Sequence, residues 1–134
     1  MLSFLIAAAA IAGSGGADVT GRWKTETRNG IVEIESCGAS VCGKLLTSDG
    51  LKANPNLADA NNRDKALRAR PLRGLQILGG FKSNGKEWTD GTIYNAEDGK
   101  TYGAKLTLAD ADTLNVRGCI FVPLCKTQTW KRVR

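Results

Sequence analysis

The sequence predicts an all-β protein, an eight-stranded antiparallel barrel of the up-and-down type. Short segments alternate polar and apolar residues with a period of two, which is typical of strands with one buried face. Asn-Gly and Asp-Gly pairs, which two-residue hairpins prefer, separate several of these segments. Antiparallel strands joined by tight turns favour a closed barrel, because closure removes unpaired sheet edges. A two-sheet sandwich is the alternative.

The eight predicted strands follow the alternation in order. In the first of them, Trp23 and Thr25 alternate with charged residues; in the second, Val32 and Ile34 alternate with glutamates that mark the solvent face. The predicted strands cover residues 21–28, 31–37, 41–47, 75–81, 87–94, 100–108, 113–118 and 126–133.

Residues 48–74 interrupt this pattern. The segment contains helix-forming residues behind a possible N-cap at Asp59, and Pro71 should end any helix before it. We therefore expect one long, partly helical loop, and loops of this length in compact domains are often functional.

The N-terminus has the layout of a secretory signal. An apolar run from Leu2 to Ala12 is followed by small residues, and the first charge is Asp18. The run is shorter than the roughly 20 apolar residues that a membrane-spanning helix needs. We expect a signal peptide at 1–17, a single domain at 18–134, export to the periplasm or the extracellular space, and no transmembrane segment in the mature protein. An N-terminal core helix is the alternative.

The charge balance is basic. The chain has 19 Lys and Arg residues against 13 Asp and Glu residues, a net charge of +6. Such a balance favours weak attraction to anionic surfaces. The charges are scattered and export is predicted, so we expect no nucleic-acid partner.

Four cysteines occur as two close pairs, Cys37 with Cys42 and Cys119 with Cys125. An even number of cysteines in an exported domain indicates disulfides. The spacings differ from the C-x2-C steps of zinc sites, the chain has no histidine, and no thioredoxin-like C-x-x-C is present. In an up-and-down barrel the two pairs lie at opposite ends, which favours Cys37–Cys42 and Cys119–Cys125 over crossed pairings. We expect no metal.

Several stretches in a fixed order resemble one bacterial family, the uncharacterised family catalogued as domain of unknown function 2147. The resemblance runs from about Gly21 to Val133 and implies a small exported protein with a lipocalin-like barrel and no assigned activity. The chain departs from the family at Asn62-Arg63, where an Asn-Pro is frequent, and at Asn95-Ala96, where a proline often follows the aromatic strand. The stretches are GRWKT, IESCGASVCGKL, DANNRDKALRARPLRGLQIL, DGTIYNAEDGKTYGAKLTL and LNVRGCIFVPLCKTQTWKR.

The two termini carry a second resemblance. Gly21 and Trp23, with Trp130 and Arg132 in the last strand, resemble the lipocalin arrangement of a first-strand tryptophan covered by a last-strand arginine. Closure brings these strands together, so the guanidinium group can lie over the indole ring. We expect Trp23, Trp130 and Arg132 to form a structural plug at one end; ligand binding there is the alternative.

The opposite end is predicted to be the mouth. Residues 59–73 carry five cations and two carboxylates, and arginine forks bind carboxylate and phosphate groups well. We predict a ligand site formed by Arg68, Arg70 and Arg73 with Tyr94 and Tyr102. The alternative is that the arginines are solvated loop charges.

The apolar stretch between Cys119 and Cys125 reads IFVPL. Exposed apolar clusters mark contact surfaces, so Ile120 and Phe121 are candidates for contact with an envelope protein. Folding back over the mouth is the alternative.

Signals for catalysis are weak. The chain has no histidine, no G-x-S-x-G and no phosphate-binding loop, so we expect neither an enzyme nor a cofactor. Two functions remain: binding of a small amphiphilic or anionic molecule at the basic mouth, or an envelope interaction module with a filled core.

Overall fold

The computed structural model describes residues 19–134, and more than half of them lie in the strands of one antiparallel β-sheet. The predicted signal peptide lies outside the described residues. The strands are β1 (Gly21–Lys24), β2 (Ile31–Cys37), β3 (Ser40–Thr47), β4 (Gln76–Gly79), β5 (Lys82–Asn84), β6 (Glu87–Asn95), β7 (Lys100–Asp110), β8 (Thr113–Phe121) and β9 (Leu124–Val133).

The sheet closes on itself as a barrel. Its order is β4-β3-β2-β1-β9-β8-β7-β6-β5, and β4 also pairs with β6. Segments β4 and β5 therefore occupy one position beside β6, which makes an eight-stranded closed antiparallel barrel and confirms the predicted fold. The break between the two segments falls at Gly80, which has a φ of 76°, and at Phe81, which is only 3% exposed.

Several strand ends differ from the prediction, most clearly in β1, β8 and β9. The first strand ends at Lys24 instead of residue 28, because Arg28 and Asn29 adopt positive φ values of 62° and 49° and turn the chain. Strands β8 and β9 are longer than predicted and include both cysteines, so Cys119 and Cys125 face each other within the ladder.

The helix also lies elsewhere than predicted. Helix α1 (Asp49–Ala53) begins after Ser48, whose hydroxyl accepts a hydrogen bond from the Leu51 amide at 3.2 Å. A short 3-10 helix at Lys65–Leu67 is capped by Asp64. Asp59 is not a cap, since its carboxylate is buried in a side-chain network described below.

The barrel has a closed end and an open end. The closed end contains Val19 and the turns at 38–39, 85–86 and 111–112; the open end contains the connections 25–30, 48–75, 96–99 and 122–123. Packed side chains fill the closed half. They are Val19, Trp23, Ile34, Val41, Leu78, Phe81, Trp88, Ala104, Leu106, Leu114 and Trp130.

One disulfide lies at each end. Cys37–Cys42 spans the β2–β3 turn at the closed end, and Cys119–Cys125 joins β8 to β9 at the open end. Both predicted pairings are therefore present in the structure, and they indicate an oxidising compartment. Of the helices within residues 19–134, none has the length and apolar character required to cross a membrane.

Candidate functional site: the open cavity

The closed end is sealed around one tryptophan. The Trp23 side chain is completely buried, and its indole nitrogen donates a hydrogen bond to the Val19 carbonyl at 2.9 Å. The Arg132 guanidinium group lies 4.4 Å from the Trp23 ring centroid and donates to the Ala111 and Thr20 carbonyls, each at 2.8 Å. A guanidinium group with its donors engaged on backbone carbonyls is held in place over the ring. Trp23 and Arg132, two of the residues predicted to form a plug, therefore lie in contact at the closed end.

The open half encloses a cavity of about 900 Å³. Ligand pockets in proteins typically have about 300–1,000 Å³ and mostly apolar walls. Most of the large side chains around this cavity are aliphatic: Val32, Leu45, Leu57, Leu72, Ile77, Ile93, Val116, Ile120 and Leu124. The open half therefore offers an apolar interior of ligand size.

Charged residues of the cavity wall are few and lie near the mouth. Arg28 and Glu97 form an ion pair with 3.4 Å between Nε and Oε2, and both side chains are more than half exposed. Lys126 also lines the cavity. No ion pair or side-chain hydrogen bond of the Lys126 ammonium group is formed with any of residues 19–134. Its positive charge is available to an anionic group that enters the cavity.

The three predicted arginines are at the open end, but none lines the cavity. The Arg70 Nε donates to the Asp59 Oδ2 at 2.9 Å, and the Arg68 Nε donates to the Asn62 carbonyl at 2.8 Å. Arg73 is exposed. The structure brings Arg70 and Tyr94 together beside a smaller outer cleft of about 490 Å³, which Lys100 also lines.

Asp59 is the centre of a buried polar network. Its carboxylate accepts hydrogen bonds from the Tyr94 hydroxyl at 2.6 Å, the Asn62 side-chain amide at 2.8 Å and Arg70. Burial alone would raise the pKa of Asp59, but these hydrogen bonds and the Arg70 charge outweigh burial and lower the pKa below its usual value. The network binds residues 59–70 to the barrel. Arg70 therefore stabilises the loop, and its guanidinium group is partly occupied by Asp59.

The same loop is held to the barrel a second time, through the β6–β7 turn. The Asn61 side-chain amide donates to the Ala96 and Glu97 carbonyls at 3.3 and 3.2 Å, and the Arg63 Nε donates to the Asp98 carbonyl at 3.0 Å. The loop is thus fixed along one side of the mouth, where Leu57 and Leu72 complete the apolar wall.

Both predicted tyrosines line the cavity. Their hydroxyl groups are engaged: Tyr94 donates to Asp59, and Tyr102 donates to Asp98. The hydrogen bond to Asp98, together with burial, raises the pKa of Tyr102. The two tyrosines therefore present their aromatic rings to the cavity, because their hydroxyl groups already donate to carboxylates.

The apolar stretch after Cys119 is exposed at the open end. The exposed fractions are 67% for Ile120 and 61% for Phe121. Ile120 also lines the cavity wall, whereas Phe121 does not. The stretch therefore forms part of the rim and does not fold back to cover the mouth.

The sequence interpretation does not include Lys126 and Gln128 among the cavity residues, although the alternation along β9 indicates them. Along β9, every second residue from Trp130 back toward the tip faces the same side: Gln128, then Lys126, then Leu124. Because Trp130 faces the barrel interior, the period of two places Lys126, four residues earlier, on the same inner face.

A closed eight-stranded antiparallel barrel that is sealed at one end and hollow at the other defines the lipocalin-like class. Protein HP1028 from the human pathogen Helicobacter pylori, described as belonging to the lipocalin family, has the same fold: the TM-score is 0.76 at 21% sequence identity. The match covers 86% of this chain and 82% of that one.

Within this class, the chain belongs to a family of bacterial proteins described as "Uncharacterized protein conserved in bacteria (DUF2147)", whose model matches residues 21–132. The family predicted from the sequence is confirmed. A comparison with curated proteins gives no match.

Proposed function

We propose that this protein binds a small amphiphilic molecule with an anionic head group, with the apolar part inside the barrel and the head group near the mouth. The observation that supports the proposal is the apolar cavity of about 900 Å³ in the open half. Burial of an aliphatic chain there yields about 25 cal/mol per Å² of apolar surface removed from water.

Lys126 is the residue we assign to the head group. It lines the cavity, and its ammonium group has no acidic partner within residues 19–134. A carboxylate or phosphate at this position gains a charge-assisted hydrogen bond close to the apolar wall, where such bonds are stronger than in water.

The predicted arginine site contributes to the proposal in a different way. Arg68, Arg70 and Arg73 belong to segment 48–75, which carries six cations and three carboxylates at the open end. Their combined field attracts an anion toward the mouth, and this attraction is screened within about 8 Å at physiological ionic strength. Tyr94 and Tyr102 supply ring surface to the bound molecule.

The compartment of the proposed function is the periplasm or the extracellular space. Two disulfides within a small domain support an oxidising location. The competing proposal, an envelope interaction module with a filled core and no ligand, is disfavoured because packed side chains fill only the closed half.

Binding is tested first by native mass spectrometry of the purified protein and by titration with a long-chain fatty acid. We expect one molecule to bind per chain. Gly118→Leu is the blocking variant, because Gly118 lines the cavity and a Cβ added there meets Ile93 and Tyr102 at ordinary distances of 3.6 and 3.9 Å. Uptake that is unchanged in this variant would contradict binding inside the barrel.

The head-group assignment is tested by Lys126→Gln. The loss of a charge-assisted hydrogen bond of about 1.5 kcal/mol lowers the affinity for the fatty acid about tenfold, while the corresponding alcohol is bound equally by both proteins. Lys131→Gln is the matched control, since Lys131 is on the same strand but donates to Thr113 at 3.0 Å and does not line the cavity.

Arg73→Gln separates direct contact from long-range attraction. We expect a decrease in affinity of about twofold that disappears at high salt. A loss of affinity that is larger than that of Lys126→Gln and persists at high salt would indicate that the head group contacts Arg73 instead of Lys126.

A further inference from the structure

The turn between β8 and β9 is an exposed apolar projection. Residues 120–124, here called the β8–β9 tip, include four large apolar side chains that are exposed to 67% (Ile120), 61% (Phe121), 73% (Val122) and 54% (Leu124). A contiguous apolar cluster of this kind on a small domain marks a contact surface.

The tip is part of the cavity rim, and a disulfide lies at its base. Ile120 and Leu124 belong to both the tip and the cavity wall. The Cys119–Cys125 disulfide joins the two strands at the base of the tip. A surface that receives the tip therefore also faces the opening of the cavity.

The surroundings of the tip are positively charged. Residues 113–133, which form the β8–β9 hairpin, contain four Lys and Arg residues and no Asp or Glu; two of these cations lie at the closed end, and the other two lie toward the tip. Arg117 and Lys126 are the two cations nearest the disulfide, and the Arg117 Nη2 lies 3.3 Å from the Cys125 Sγ. Segment 48–75, at the same end, adds a net charge of +3, from six cations and three carboxylates.

We propose that the β8–β9 tip docks this protein on an anionic phospholipid bilayer. Phe121 and Val122 insert among the head groups, and the cations around them contact lipid phosphates. Apolar insertion and electrostatic attraction to anionic lipids together produce interfacial binding, and each cation near such a surface strengthens it about fivefold. The open end of the barrel then faces the membrane.

A bilayer fits the tip better than a protein partner. Stable protein interfaces bury about 800 Å² on each partner, supplied by about 20–30 residues, whereas the apolar projection consists of five residues. A membrane surface requires only a small inserted group, because the surrounding cations supply the remainder of the binding. The proposal does not depend on a ligand in the cavity.

The proposal is tested by sedimentation of the purified protein with vesicles of phosphatidylcholine containing about a third phosphatidylglycerol. The tip variant is Phe121→Ser with Val122→Ser, since neither residue lines the cavity. The matched control is Val133→Ser, which removes an apolar side chain that is 39% exposed at the closed end. All three proteins share the same N-terminal residues, so any contribution of those residues cancels.

We expect the tip variant to bind these vesicles at least tenfold more weakly than the unchanged protein and the control. Binding should also fall severalfold in 0.5 M salt and on vesicles of phosphatidylcholine alone. Unchanged binding by the tip variant, or equal loss in the control, would overturn the proposal.

A second variant keeps the test decisive if the double variant does not fold. Phe121→Trp places an indole at the tip, and the three native tryptophans are at most 9% exposed. Emission from the added indole should shift to shorter wavelength with anionic vesicles and be quenched by brominated lipids. An unchanged emission spectrum would reject insertion. Crosslinking from position 121 to a protein instead of to lipid would identify a protein partner and overturn the proposal.

Discussion

The two halves of the barrel are built from the same strands but are packed differently. At the closed end, the Trp23 indole is sealed by Arg132, and Trp130 and Leu106 are buried beside it. At the open end, the same strands surround a cavity of about 900 Å³ and end in exposed apolar side chains. Close packing stabilises the closed half. The open half lacks that packing and instead contains a cavity with an apolar rim.

The difference shows that close packing and open volume are separated along the barrel axis. Large side chains that alternate inward fill the closed half, whereas smaller aliphatic residues and Gly118 leave the open half hollow. We therefore expect substitutions in the closed half to change mainly the free energy of unfolding, and substitutions in the open half to change mainly binding.

The largest effect is expected from Trp23→Ala. Removal of a fully buried indole leaves a void and strips Arg132 of its ring contact, so the free energy of unfolding should fall by about 3–5 kcal/mol. Urea unfolding followed by circular dichroism measures the change. A loss below 1 kcal/mol would mean that the closed half is not the stabilising half.

A pair of glycine substitutions compares the halves directly. A Cβ at Gly43 would lie 2.8 Å from the Leu78 Cδ1, so Gly43→Leu should lower the free energy of unfolding by about 1–3 kcal/mol. Gly118→Leu should change it by less than about 0.5 kcal/mol, because Gly118 lines the cavity and its added Cβ makes only ordinary contacts. Both changes in the free energy of unfolding are measured by the same urea titration. Equal changes in the two variants would contradict the difference in packing between the two halves.

Asp59→Asn tests the loop network, with an effect that depends on pH. The folded pKa of Asp59 is below its unfolded value, so its ionised form stabilises the fold above the unfolded pKa of about 3.9, and this contribution is lost as the pH falls through the folded pKa. Asp59→Asn should cost about 1–2 kcal/mol at pH 7, and the difference from the unchanged protein should shrink below about pH 4.

Urea titrations at several pH values measure that difference. Asp90→Asn, at an exposed, irregular position within β6 with a φ of 57°, is the control, because asparagine also tolerates this conformation. The lowered pKa values of Asp98 and Asp110 make both proteins less stable in acid, so the comparison rests on the difference between them. A difference that is independent of pH would contradict a stabilising Asp59 carboxylate.

The smallest effect on stability is expected from Lys126→Gln. The side chain makes no ion pair with residues 19–134, so the free energy of unfolding should stay within about 0.5 kcal/mol. The affinity for an anionic amphiphile should nevertheless fall as described above. A large loss of stability would show that Lys126 belongs to the fold and not to the binding site.

Much of the fold could be predicted because local patterns decide it. Alternation and turn residues predicted eight antiparallel strands, and the order of those strands implied both disulfide pairings. The contact between Trp23 and Arg132 was expected from the resemblance to lipocalins. The interruption at Phe81 and the position of helix α1 were not predictable, because both depend on which side chains the closed barrel can bury.

The candidate site was predicted less well than the fold. Tyr94 and Tyr102 do line the cavity, but Arg70 is bound to Asp59, eleven residues earlier in a loop without periodicity. The sequence gives the charges of that loop but not their partners, since the partners are chosen by how the loop packs on the barrel.

By itself, the sequence determined the strand pattern, the cysteine pairs and the basic charge, since each follows from neighbouring residues and from the order of the strands. Only the tertiary structure decided that one half is filled and the other hollow, that Lys126 faces the hollow, and that Ile120 to Leu124 project beyond it. These properties depend on how side chains from all the strands share one interior volume, which no single segment specifies.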